Sequence, residues 1–352
     1  MFITGLGTAT PTQRFTQEEC WVALQPAPEF AALTPRSRAI LRKVFLGDNG
    51  IESRHLTYQN LIEAFDLTPD ALHQRFATHA PALATAAAQN ALADAALKAA
   101  DIDAVLISTC TGYLCPGLTS YVAERLGLRS NAWLLDLVGQ GCGAALPNLR
   151  TAEAMIRSGQ SRRVLCVCVE ICSAAFYLDN DPGVLVSACL FGDGAAAAVV
   201  DRDPQPGKRR VEWMDAETLL APGDRELLRF DHRGGMLRNI LSLEVPAIAA
   251  KYARTVLESF LARKGLQFSD LQGWILHAGG RNVLAALRTE LGLSETDVRH
   301  SSAILREFGN LSSPFVFFVL QAALQQNQPG GLWWMASFGA GFSSHGALLR
   351  VD

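Results

Sequence analysis

Three residues have types and settings that could carry chemistry: Cys142, His277 and Asn310. Cys142 lies in VGQGCGAAL, between glycines and just ahead of a segment, 144–158, that reads as a helix. A thiol at a helix amino terminus meets unpaired backbone N–H groups and the positive end of the dipole, which favours the thiolate and makes a nucleophile. His277 follows the apolar run WIL and precedes Ala278, Gly279 and Gly280. That position reads as the carboxyl end of a strand, where α/β proteins place their sites; an imidazole there can pair with a thiolate or donate to an oxyanion. Asn310, in EFGNLSSP, would add a neutral donor beside the histidine. Taken singly, each has a plainer reading: a small cysteine packed at a tight turn, a hydrogen-bonded core histidine, an asparagine capping a helix. Phe191 in LFGDGA reads alone as ordinary core.

The elements that must hold these residues alternate between strand and helix patterns, which predicts an α/β protein with helix-covered sheets. AVLIST (104–109) and RVLCVCVE (163–170) read as buried strands, and the alanine-rich segment 81–100 as a helix. The most polar turn-forming stretch, DRDPQPGKRR at 201–210, marks a boundary and gives halves 1–205 and 206–352. These halves echo one another. CTGYLCPG follows AVLIST, and HAGG follows the strand-like QGWIL; GQGCGAALPNLRTAEAMI and EFGNLSSPFVFFVLQAAL both run from glycine turn to helix. Cys142 follows Gly141 as Asn310 follows Gly309, with Pro147 and Pro314 shortly after. FGDGAAAAVV and FGAGFSSHGALLRV then close the two halves, and together the matches point to an internal duplication.

Composition narrows the function classes. The 352 residues are 49% hydrophobic and 18% charged, enough to bury a large core, and 31 basic against 34 acidic residues give a net charge of −3. Such a balance supplies no field to hold a nucleic-acid backbone or an anionic membrane. No apolar run approaches the ~20 residues of a membrane helix and the first residues lack a secretory pattern, so the expected location is cytoplasmic. The eight cysteines lie in apolar or glycine-rich stretches without a CxxC pair, as reduced thiols do, and no metal site is expected. GLGTATP and GQGCGA only partly match a dinucleotide fingerprint, and there is no GxSxG elbow or P-loop.

Read together, CTGYLCPG, GQGCGAA, CVEICS, LFGDGAA, HAGG and GNLSSP resemble, in kind and order from Cys110 to the carboxyl terminus, the type III polyketide synthases. These are the chalcone and stilbene synthase-like family of the thiolase superfamily. The resemblance implies an α/β thiolase fold of duplicated αβαβα layers with two mixed five-stranded sheets, assembled as a homodimer. It implies that Cys142 carries an acyl starter as a thioester, its thiolate paired with an imidazolium of His277, and that His277 and Asn310 stabilise the enolate formed when malonyl-CoA loses carbon dioxide. Coenzyme A thioesters are then the substrates; no metal, redox cofactor or carrier protein is required.

The resemblance also assigns the pocket. Phe191 matches the family's first gatekeeping phenylalanine, whereas Asn239 stands where the second usually is. Cys110, Cys172, Ala175 and Ser312 fall at positions that tune the substrate, all small, and Cys115 where the partner subunit reaches into the site. Arg42 and Lys43 fall where coenzyme A phosphates are held, although Asp48 occupies a position that is often basic, and FGAG replaces FGPG at 338–341. Small pocket residues imply room for a long or folded chain, from a fatty acyl-CoA or a malonyl-CoA starter, closing to a resorcinol, a pyrone or a polyhydroxylated aromatic. Two alternatives stay open: an initiating ketoacyl-ACP synthase, against which HAGG stands where HQAN is usual, and an inactive thiolase-fold binding partner.

Overall fold

The computed structural model describes residues 1–352. Its strands are β1 (Phe2–Ala9), β2 (Arg14–Thr16), β3 (Ser53–His55), β4 (Ala104–Thr109), β5 (Trp133–Val138), β6 (Arg163–Glu170), β7 (Gly194–Asp201), β8 (Val211–Leu220), β9 (Leu228–Arg233), β10 (Met236–Leu241), β11 (Leu271–Leu276), β12 (Gly331–Gly339) and β13 (Ser343–Val351). The helices are α1 (Gln17–Leu24), α2 (Pro28–Ala31), α3 (Pro35–Leu46), α4 (Pro69–Asp94), α5 (Leu118–Leu126), α6 (Ala145–Arg157), α7 (Pro182–Leu190), α8 (Val245–Lys264), α9 (Arg281–Leu291), α10 (Arg299–Phe308) and α11 (Phe315–Gln325).

Strands that are apolar at every position must be buried on both faces, and parity divides their side chains. Leu106, Cys166, Cys168, Ala196 and Ala198 pack in the core that contains α6 and α11, whereas Val105, Ile107, Val167 and Ala197 pack with α4 and α5. In the first half β1 pairs antiparallel with β7, β7 antiparallel with β6, and β6 parallel with β4. The second half repeats that sequence of pairings as β8, β13, β12 and β11. Helices α6 and α11 touch strands of both halves, so they form the shared middle layer, with α4 outside one half and α8 outside the other. α11, FVFFVLQAALQ, suits that place because a helix apolar nearly all round must be enclosed.

The duplicated layering is therefore present, but the strand count departs from two sheets of five. The first half has five strands, adding β5 beside β4, and the second has four; the two run into one nine-stranded sheet through Phe2 and Glu212. Where a fifth strand would precede Asn310, the chain forms α10. Val298, Ser301, Ile304 and Leu305 are buried there at helical spacing, a period of 3.6 that a strand cannot satisfy. The helix expected at 81–100 is the latter part of the longer α4, which starts after Thr68, whose hydroxyl caps Ala71 N–H. Pro81 sits within it, removing one backbone bond without ending the helix. No helix is long and apolar enough to cross a membrane.

The alanines of α4 let its backbone lie directly on β1. A Cβ built on Gly7 would stand 2.3 Å from Ala91 N and 2.4 Å from Ala87 O, which are backbone atoms with nowhere to go. Gly7→Ala must push the helix off the sheet. We expect it to cost about 3 kcal/mol and lower the calorimetric midpoint by about 5 °C or more; an unchanged midpoint would show that this apposition carries no stability.

Candidate active site

The Cys142 turn is built by the glycines around it. After β5 the chain makes a single 3-10 turn, Gly141–Gly143, and enters α6, whose start has no side-chain cap. Gly141 adopts φ +57°, a left-handed conformation that glycine takes at no cost. The turn lies on the end of β12: Ser337 Oγ donates to Gly143 O at 3.1 Å, and a Cβ on Gly339 would come within 2.4 Å of Gln140 O and 2.7 Å of Gly143 N. Cys142 thus sits at the amino end of a buried helix, fixed against a strand of the other half.

His277 is moored to that same strand. Its backbone N–H donates to Ala336 O at 2.9 Å, carrying the β11–β12 pairing one residue past β11. The ring is 1% exposed, edge-on to Phe315 and Phe338 at centroid distances of 5.2 and 5.1 Å, and neither ring nitrogen has a hydrogen-bond partner. A satisfied core histidine would not look like this, because an unpaired buried polar group costs about 1–3 kcal/mol. Asn310 does not cap α11. Its Oδ1 accepts from Ser312 N at 2.8 Å, and its Nδ2 donates to Gly279 O at 3.0 Å, in the loop just after His277. Its backbone donates to Leu190 O at 2.8 Å and accepts from Gly192 N at 3.0 Å, forming a short parallel bridge with Phe191.

Two large cavities meet here. A channel of about 500 Å³ is lined by Cys142, His277, Asn310, Phe191 and Phe338, with the exposed Arg36, Lys43, Asp48 and Arg281 also on its wall. A second cavity of about 660 Å³ is lined by Cys110, Phe191, Asn239 and Ser312 and again by Cys142. Cys142 and Phe191 therefore stand at the junction. Cys172 and Ala175 line only a side chamber of about 20 Å³, room for about one water. The volume expected from these small residues is taken up by Phe176, Tyr177 and Phe230, which line the same chamber. Beyond it lies an apolar pocket of about 60 Å³.

Two expected residues lie off the walls of the large cavities. Cys115 lines neither large cavity of the single chain and is exposed, which is compatible with the expected approach of a partner subunit. Arg42 is absent from the channel wall, to which Lys43 contributes: Arg36, Ile40, Lys43 and Val44 share one face of α3, and Arg42 is exposed off that face. Two residues were missed. Glu170 is fully buried and accepts from Cys110 N at 3.0 Å, Thr111 Oγ1 at 2.9 Å, Ser313 Oγ at 2.6 Å and Ser312 Oγ at 3.4 Å, so it fixes the wall carrying Cys110 and Ser312. Its signal was there to read, a lone carboxylate directly after the apolar run VLCVCV. Arg281, the other, opens α9 and pairs with Asp48.

The chain matches the chalcone and stilbene synthase N-terminal domain over residues 51–204 and the C-terminal domain over residues 220–351. It is 29% identical to the 3,5-dihydroxyphenylacetyl-CoA synthase of Streptomyces toyocaensis, across 99% of this chain and 89% of that protein. It is 31% identical to the 1,3,6,8-tetrahydroxynaphthalene synthase of Streptomyces peucetius subsp. caesius, across 99% and 92%. The crystal structure of 1,3,6,8-tetrahydroxynaphthalene synthase from Streptomyces coelicolor superposes with a TM-score of 0.89 at 26% identity, covering 99% of both chains.

Burial governs the charge states of the two reactive groups. It pushes the Cys142 thiol up to about 12, against a hydrogen bond from Ser312, and the His277 imidazole down to about 3. Neither group ionises alone near neutrality, contrary to a thiolate stabilised by the helix end by itself. Ionisation as a pair, with the thiol proton on the imidazole, would create both charges together, and their attraction would offset the two desolvation costs. Of the groups on the channel wall, His277 is the one buried base able to take that proton. Iodoacetamide labelling of Cys142 at pH 7.5, followed by peptide mass spectrometry, should slow by roughly two orders of magnitude in His277→Gln; equal rates would disconnect the imidazole from the sulfur.

Proposed function

From the premise that this chain belongs to the chalcone and stilbene synthases, which are type III polyketide synthases, we propose that it builds a polyketide from malonyl units alone and closes it to a polyhydroxylated aromatic. Enzymes of this family are acyltransferases and need no cofactor beyond their coenzyme A thioester substrates. One observation carries the reading: Cys142 is on the wall of both large cavities, while His277 and Asn310 are on the channel side only. A thioester entering by the channel reaches the sulfur and both donors, and the chain it leaves on the sulfur has a separate space to occupy.

The proposed cycle uses these groups in turn. Cys142 Sγ, its proton passed to His277, attacks the starter thioester carbonyl; the C–S bond to coenzyme A breaks, and the leaving thiolate takes the proton from the imidazolium. Malonyl-CoA follows into the channel and its carboxylate departs as carbon dioxide, leaving the electron pair of the broken C–C bond as an enolate. A neutral imidazole donates one N–H to that oxygen, and Asn310 Nδ2 donates the N–H not given to Gly279. The enolate carbon attacks the Cys142 thioester, expelling the sulfur, and the lengthened chain remains on coenzyme A until it returns to the cysteine. In this scheme the half 1–205 supplies the nucleophile and 206–352 the donors.

Volume supports the malonyl starter over a fatty one. About 660 Å³ with partly polar walls suits a folded chain of alternating carbonyls. An alkyl tail too long for that cavity would find next to it only a chamber that holds about one water and, sharing Phe176 and Ala188 with that chamber, an apolar pocket of about 60 Å³. We also propose a cytoplasmic homodimer joined at β5, an edge strand with Trp133 61%, Leu134 43%, Leu135 42% and Val138 52% exposed, since an apolar sheet edge invites a partner.

Radiolabelled malonyl-CoA alone should give carbon dioxide and an aromatic product, and Cys142→Ala should lower that synthesis by about three orders of magnitude or more. Product formation by the variant, or a requirement for malonyl-ACP, would overturn the assignment; faster turnover with a long acyl-CoA starter would overturn the starter. Light scattering should report twice the 38.0 kDa chain mass, and Leu135→Asp should halve it; a wild-type monomer removes the dimer.

A further inference from the structure

The channel wall changes character along its length. It holds a buried histidine with two unpartnered nitrogens, and it also holds three exposed cations, Arg36 and Lys43 from α3 and Arg281 from α9, with one carboxylate, Asp48. α9 presents its amino end to the same channel: Gly279, Gly280, Arg281, Asn282 and Val283 are all on the wall, and the helix start has no side-chain cap and no acidic residue in its first turn. The first N–H groups of a helix find no intrahelical partner and favour an anion. The unpartnered His277 nitrogens mark this channel independently as a ligand site, and the mouth is fitted for something strongly negative.

Asp48 is the exception, and its partner is Arg281, with side chains 83% and 51% exposed. Ion pairs this exposed are weakly held in water and open readily. A diphosphate carries more charge than a carboxylate and accepts the guanidinium fork in the same bidentate way, so it displaces the carboxylate. We propose that Arg281 is the principal phosphate anchor for the coenzyme A portion of the substrate and that Asp48 is a built-in competitor which holds Arg281 until the diphosphate takes it. This rests on the reading that coenzyme A thioesters enter by this channel. The pair then sets affinity at the mouth without touching the reacting atoms.

Calorimetry of coenzyme A and of phosphate-free pantetheine, on wild type, Arg281→Ala, Asp48→Asn and the double variant, tests it. Arg281→Ala should weaken coenzyme A about tenfold and reduce its advantage over pantetheine by a similar factor. Asp48→Asn should tighten coenzyme A about threefold, and that gain should vanish in the Arg281→Ala background. With malonyl-CoA the same changes should appear in KM, with kcat little altered. Three outcomes would overturn the proposal: a gain from Asp48→Asn that persists without Arg281, equal weakening of both ligands by Arg281→Ala, or a wild type that binds no coenzyme A. Wild type that binds coenzyme A with this pattern yet condenses no malonyl-CoA would overturn the synthase reading and leave the anchor standing.

Discussion

The end of β12 is the constraint on which the site depends. Within four residues it accepts the His277 N–H at Ala336, donates to Gly143 from Ser337, sets Phe338 edge-on to the imidazole and passes under the cysteine turn at Gly339, where no Cβ fits. The proposed nucleophile, Cys142, and the proposed base, His277, come from opposite halves of the chain, so no local element fixes their separation. The strand does. It is held in turn by antiparallel pairing with β13 along its whole length, so moving it would break a continuous ladder. Positioning is thereby tied to the stability of the sheet.

A second constraint is dryness. Burial keeps both the histidine, 1% exposed, and the thiol neutral near neutrality, so in the proposed cycle charge would arise only when a proton moves between them. The phenylalanines around the imidazole offer it no hydrogen bond, which in the proposed cycle leaves its N–H free for a developing oxyanion. The cost of leaving those nitrogens unpaired is borne by the packed middle layer, where α11 is enclosed on nearly every side.

Much of this was legible in the sequence because it is written in local patterns. The glycines around Cys142 announce a turn that only they can make, the residues of β4 and β6 announce two-sided burial, and the echoes between halves announce duplicated layers. What escaped depends on three-dimensional phase and neighbours. Whether Arg42 or Lys43 faces the channel is a matter of 100° about a helix axis. Arg281 and Asp48 meet across 233 residues of chain, and neither setting names the other. Cys172 and Ala175 are small, but small side chains make room only if nothing else fills it, and Phe176 and Phe230 do. The missing fifth strand was lost for a similar reason, since the helical period at 298–305 outweighs the analogy with the first half.

The short bridge between Phe191 and Asn310 gives the molecule a mechanical property. The aromatic ring at the junction of the two chambers and the proposed oxyanion donor are carried by adjoining, cross-linked backbone. A substitution that shifts the main chain at 190–192 therefore reaches Asn310 as well as the ring at the junction, through two ordinary main-chain hydrogen bonds.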